Sequence, residues 1–149
     1  MTTGTPTYRW NSSEAAEAFD LAAEFIHPLY LTVQDQVIRQ LPFAPEDSFW
    51  IVDLGAGSGR LAERILDQFP KSRAVLVDQS EPFLAIAERR LHRFGKRVVL
   101  IQNRLQDDWA YTLPAAPQAF VSMSAVHHLD PAEKQSLFAR CYSALTERG

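Results

Sequence analysis

Residues 49–60 read FWIVDLGAGSGR, and this stretch leaves the chain few ways to fold. The apolar residues Phe49, Trp50, Ile51, Val52 and Leu54 predict a strand buried on both faces. Gly55, Gly57 and Gly59 then allow a sharp turn that brings the backbone close to a ligand a Cβ would block. The pattern LAERILDQF that follows is helical, and its first N–H groups point back at that ligand. A strand, a glycine turn and a helix make a nucleotide-binding corner.

The spacing of the glycines narrows the nucleotide. Dinucleotide sites use GxGxxG, the third glycine packing helix against strand; here the turn is Gly55-Ala56-Gly57-Ser58-Gly59, followed by Arg60. Asp53 lies two residues before the first glycine, where a carboxylate repels a pyrophosphate and attracts an ammonium group. Asp78 ends the next apolar strand, Ala74-Val75-Leu76-Val77, where an acid accepts from ribose hydroxyls. A ribose acceptor, an ammonium acceptor and a turn without an evident phosphate describe S-adenosyl-L-methionine better than NAD.

The rest of the chain alternates strand and helix. Asn11 or Ser12 caps a first helix with apolar positions at Ala15, Ala18, Phe19, Ala22, Phe25 and Ile26; Pro28 interrupts it, and a second helix follows over about 29–41. The spacing then predicts a strand at 49–54, a helix at 59–69, a strand at 73–78, a helix at 81–93, strands at 97–102 and 118–124, and a helix at 131–145. Pro70, Gly95, Pro114, Pro117 and Pro131 fall between elements. Such alternation implies an α/β fold with a parallel sheet and right-handed crossovers.

Four segments in this order, VDLGAGSGR (52–60), VLVDQSEPFL (75–84), VVLIQ with NRLQDDW (98–109) and AFVSMSAVHHL (119–129), resemble the class I S-adenosylmethionine-dependent methyltransferases, and the apolar strand ending in HHL resembles their small-molecule members. The resemblance covers residues 48–145. It implies a Rossmann-like sheet in the order 3-2-1-4, with residues 1–47 as a helical lid and 48–149 as the cofactor domain. The family's strands five to seven are not in the sequence given, so a fragment or a shortened relative is expected.

The resemblance also implies roles. Gly55, Ala56, Gly57 and Gly59 form the cofactor turn, and Asp53 accepts from its amides or from the methionine amine. Asp78 holds the ribose, Gln79 lines the adenine pocket, and Ser124 faces the methionine part. Many relatives carry an acid after the third strand; here Arg104 stands there and cannot accept a hydrogen bond. Leu105 through its backbone, with Asp107 or Gln106, is expected to serve the adenine instead. Trp109 is either an adenine wall or a core residue. His127 and His128 are the candidate bases. Phe19, Phe25, His27 and Tyr30 are candidates to close over the site.

Composition bounds what remains. The net charge of −3 gives no electrostatic case for nucleic acid or an anionic membrane, and nothing resembles the motif of amino-directed DNA methyltransferases. The single cysteine, Cys141, excludes an internal disulfide and a cysteine-based metal site. No metal is expected, since adjacent histidines without spaced acids make a poor ligand set. No basic-then-apolar leader and no apolar run of ~20 residues is present, so a cytoplasmic location is expected. The expected activity is methyl transfer to a small-molecule acceptor; the alternative is a non-catalytic module that binds the cofactor. Strand four lacks an outer neighbour, so a homodimer partner or another chain is expected to cover that edge.

Overall fold

The computed structural model describes residues 8–146. The first helix, α1, spans Ser13–Ile26 and is capped by Ser12, whose hydroxyl accepts from the Ala15 amide at 3.3 Å. Pro28 separates it from α2, Tyr30–Arg39. There follow β1 (Trp50–Leu54), α3 (Arg60–Gln68), β2 (Arg73–Asp78), α4 (Glu81–Leu91), β3 (Val98–Gln102), β4 (Ala119–Val121) and α5 (Pro131–Thr146). Short 3-10 turns occupy Arg9–Asn11, His92–Arg97, Ala110–Thr112 and Val126–His128.

The sheet runs β3-β2-β1-β4, parallel throughout. The alternation of side chains along β1 divides the core into two layers. Ile51 packs with Ile38 of α2, Leu61 and Ile65 of α3 and Ala87 of α4. Val52 and Leu54 pack on the opposite face with Trp109, Leu137 and Cys141. Cys141 is a buried core residue whose thiol burial pushes up to about 11.

β4 is shorter than its apolar run predicts. Ladder pairing ends at Asp53–Val121. Beyond it the Ser122 hydroxyl donates to the Leu54 carbonyl at 2.8 Å, and Ser124 takes a left-handed φ of 60°. That conformation turns the chain out of the sheet and costs a non-glycine residue about 1 kcal/mol. The helix expected over 81–93 likewise stops at Leu91 and continues as a 3-10 turn. Trp10 docks on the core edge, its ring 4.9 Å from Phe19 and 5.3 Å from Phe83. Among the described residues no helix is long and apolar enough to cross a membrane.

Candidate functional site

The β1–α3 turn lies at the carboxyl edge of the sheet, between β2 and β4, where strand order reverses and open α/β sheets take ligands. The amides of Gly55 and Ala56 donate to the Val77 carbonyl at 2.8 and 3.2 Å, which fixes the turn to β2. Gly55 has φ +67°, and a Cβ there would stand 2.2 Å from the Ala125 Cβ. The turn and the segment after β4 touch at this point, and only a glycine fits. Gly57 has φ +56° and nothing within 4 Å of where its Cβ would be. The bare backbone there forms part of a cavity wall.

That cavity has a volume of about 680 Å³. Gly55, Ala56 and Gly57 line it from the turn, Asp78 and Gln79 from the end of β2, and Leu105 and Gln106 from the loop after β3. Ser124, Ala125, His127 and His128 line it from the segment after β4. From the N-terminal helices come Phe19, His27, Tyr30 and Gln34. The structure thus brings together Gly55, Ala56, Gly57, Asp78, Gln79, Leu105, Ser124, His127 and His128 from four separate segments.

Three expected site residues lie elsewhere. Gly59 caps α3 with φ +82° and is packed against Leu91, Ala87 and Leu76, so it joins helix to core and does not line the cavity. Asp107 is exposed, and its neighbour Gln106 takes the cavity position. Asp53 is 2% exposed and does not line the cavity; its Oδ2 has no hydrogen-bond partner. Burial, aided by the charge of Asp78, raises its carboxyl to about 7. Trp109 is fully buried against Phe120 and is a core residue. Arg104 is exposed and outside the cavity, and Phe25, at 88% exposure, does not face it.

Asp78 is already oriented. Its Oδ2 accepts from the Gly57 amide at 2.9 Å and its Oδ1 from the Ser80 amide at 2.8 Å. Burial raises its pKa, and these amide bonds oppose the rise. His127 and His128 stand with Nε2 atoms 3.0 Å apart on an exposed 3-10 turn. One ring donates a hydrogen bond to the other, and both rings line the cavity.

A second device ties α1 to the turn. Asp20 of α1 accepts from the Ser58 hydroxyl, from Arg60 Nε at 2.9 Å and from Arg90 Nη2 at 2.8 Å. Arg90 Nη1 also donates to the Ser58 carbonyl at 2.6 Å. Burial pushes the Asp20 carboxyl up, but the bonds from Arg90, Ser58 and Arg60 outweigh it and hold the group at about 2. An acid at an i, i+4 helical position carries no sign in sequence that it will reach a turn forty residues away.

The sequence model of a methyltransferase-domain family matches residues 51–149. The chain belongs to the class I S-adenosylmethionine-dependent methyltransferases. Among curated methyltransferases, the trans-aconitate 2-methyltransferase of Acidovorax sp. (strain JS42) is 30% identical over 141 residues, covering 95% of this chain and 44% of that protein. The release factor glutamine methyltransferase of Geobacter sulfurreducens is 28% identical over 102 residues, covering 66% of this chain and 34% of that protein. The chain therefore spans less than half the length of either methyltransferase. A solved methyltransferase from Geobacter sulfurreducens, crystallised with S-adenosyl-L-homocysteine, matches with TM-score 0.56 over 72% of this chain and 42% of that one, at 22% identity. It shares the fold.

Proposed function

We propose that this chain binds S-adenosyl-L-methionine in the 680 Å³ cavity and transfers its methyl group to a small-molecule acceptor. The single observation that carries the reading is the convergence, on one cavity, of a bare glycine turn, an amide-held carboxylate at the end of β2 and a histidine pair at the mouth. The residues fit the cofactor. The free side of Gly57 accepts a ligand against the backbone, and Asp78 presents a carboxylate for the ribose hydroxyls. Leu105 and Gln106, which line the cavity while Arg104 is exposed, are the residues proposed to meet the adenine.

Bound there, the cofactor supplies an electrophilic methyl on a sulfonium. The turn and the Ser124–Ala125 segment orient the reacting groups, and much of the rate comes from that positioning. His127 or His128 takes the proton of an oxygen or nitrogen nucleophile as it attacks. The helices α1 and α2 exclude water from the methionine side through Phe19, His27 and Tyr30. A small-molecule acceptor is favoured by the match to trans-aconitate 2-methyltransferase, which covers 95% of this chain and so includes these lid helices. The match to the protein-directed enzyme covers 66%. The outer edge of β4, unpaired among the described residues, is the place for a strand from a second copy or another chain.

Turnover with a panel of carboxylic acids, phenols and amines, followed as S-adenosyl-L-homocysteine release, tests the reading. Product is expected with at least one class. The His127→Asn, His128→Asn double variant is expected to slow turnover by roughly 10²–10⁴ while leaving cofactor affinity intact. Cofactor binding with no product from any class would instead make the chain a non-catalytic binding module.

A further inference from the structure

A second cavity opens beside the first. It has a volume of about 440 Å³ and lies between the α1–α2 corner and the segment after β4. His27, Tyr30, Met123 and Ser124 line both cavities and form the junction between them. Leu29 and Val33 line the second alone. They stand one helical turn apart, the Val33 amide donating to the Leu29 carbonyl at 2.8 Å, and they are 66% and 42% exposed. An apolar pair left open at the rim of a cavity marks a surface that a ligand covers. The junction includes Ser124 with its left-handed φ of 60°, a conformation that a non-glycine residue keeps where a site requires it.

Charge decides what fits. Among the described residues no Asp, Glu, Lys or Arg lines the second cavity. Arg9 is the one Lys or Arg among them that lines the first, and its guanidinium lies 4.5 Å from the centre of the Trp10 ring. Trp10 packs on Phe83 of α4, and its carbonyl accepts from the Ser80 hydroxyl. That places Arg9 on the β2 flank of β1, while the second cavity opens on the β4 flank. A carboxylate entering the second cavity would lose water and meet no cation, which is costly. An uncharged apolar body is instead drawn in by the surface it buries. The junction also offers ring faces: His27 and Tyr30 lie 21° from parallel with centroids 6.4 Å apart. The thioether of Met123 beside them suits an aromatic neighbour.

We infer that the second cavity is the subsite for the methyl acceptor, and that the acceptor is an aromatic hydroxyl compound with an uncharged body. The inference rests on the methyl-transfer reading above and names the substrate class for it. The body of the acceptor lies against Leu29 and Val33, and its hydroxyl reaches through the junction into the first cavity. There the hydroxyl oxygen bonds to the methyl carbon as the carbon–sulfur bond breaks. The electron pair stays on sulfur, leaving S-adenosyl-L-homocysteine, and the proton passes to a histidine of the 127–128 pair.

The test titrates the 149-residue chain, saturated with S-adenosyl-L-homocysteine, with 4-propylphenol and with 4-hydroxybenzoate. The second probe keeps the ring and the hydroxyl and puts a carboxylate in place of the propyl group. Wild type is expected to bind 4-propylphenol tighter by on the order of tenfold or more, and to methylate it. Val33→Asp is expected to weaken 4-propylphenol by about tenfold, and Leu29→Arg to narrow or reverse the preference, each with affinity for S-adenosyl-L-homocysteine unchanged. Phe25→Asp, at a position that lines neither cavity, should alter neither probe. Thermal melts confirm that each variant is folded. Equal wild-type affinity for the two probes, or a preference for 4-hydroxybenzoate, overturns the inference. So do folded Val33→Asp and Leu29→Arg proteins that bind both probes as wild type does, and binding of 4-propylphenol without methyl transfer to its hydroxyl. A wild type that binds S-adenosyl-L-homocysteine but neither phenol overturns the inference alone, whereas one that binds no S-adenosyl-L-homocysteine overturns the cofactor reading beneath it.

Discussion

Replacing Gly55 by alanine separates folding from binding at the glycine turn. The new Cβ would stand 2.2 Å from the Ala125 Cβ, against about 3.5–4.0 Å for ordinary carbon contact. The turn or the Ala125 segment must therefore move by more than about 1 Å. Alanine at φ +67° carries a left-handed strain of about 1 kcal/mol. The loss of unfolded-chain entropy returns about 0.4–1 kcal/mol and nearly cancels that strain. What is left is the overpacking cost of about 1–3 kcal/mol. At this chain length each kcal/mol corresponds to about 2–4 °C, so a fall in Tm of about 2–12 °C is expected. Gly57→Ala is the internal control. Its φ is +56° and nothing lies within 4 Å of the added carbon, so strain and entropy cancel and Tm stays near wild type. The same carbon enters the cavity wall, so affinity for S-adenosyl-L-homocysteine should fall. Thermal melts and titrations of both variants read the two effects. A Gly55→Ala protein that melts with wild type, beside a Gly57→Ala protein that melts far below it, would refute the packing argument.

Asp53→Asn should be more stable than wild type at high pH. The folded carboxyl sits at about 7 and the unfolded one at about 3.9. The native state thus holds the extra proton between these values, and wild-type stability falls as pH rises through that window. The gap between variant and wild type should widen by roughly 2–4 kcal/mol from pH 4.5 to pH 8, read by melts at both; a gap independent of pH would count against a strained buried carboxylate. Asp20→Ala leaves Arg60 and Arg90 without their shared acid and should cost roughly 2–3 kcal/mol at pH 7 in a denaturant titration. Because the folded carboxyl is held at about 2, below its unfolded value, that contribution is present above about pH 4 and should fade only as pH falls toward 2; an unchanged denaturation midpoint at pH 7 would remove the tether between α1 and the turn from the account.

The sheet was legible because its signals are local. The apolar run before Asp78 predicts a strand at 73–78, where β2 lies, and the glycine turn marks the switch point between β2 and β4. The end of β4 was not legible, because what stops it is a tertiary bond from Ser122 to the Leu54 carbonyl and the left-handed Ser124. Asp53 and Asp107 show the limit of reading a role from a position along the chain. An acid near a strand end reads as reaching the ligand, but β1 buries the first beneath the turn and the loop after β3 exposes the second, presenting Gln106 in its place. Asp20 and Gln34 gave no signal at all. Each is a polar residue on an amphipathic helix, and only packing of that helix against α3 and α4 distinguishes it from a solvated one.

The most direct measurement is calorimetric titration of the chain with S-adenosyl-L-homocysteine, alongside Asp78→Ala. The account predicts saturable one-to-one binding to wild type and a fall of on the order of tenfold or more in the variant, since the lost carboxylate is the proposed ribose acceptor and holds the Gly57 amide. A folded wild type that takes up no ligand, or a variant that binds as wild type does, would contradict the claim that this cavity is the cofactor site.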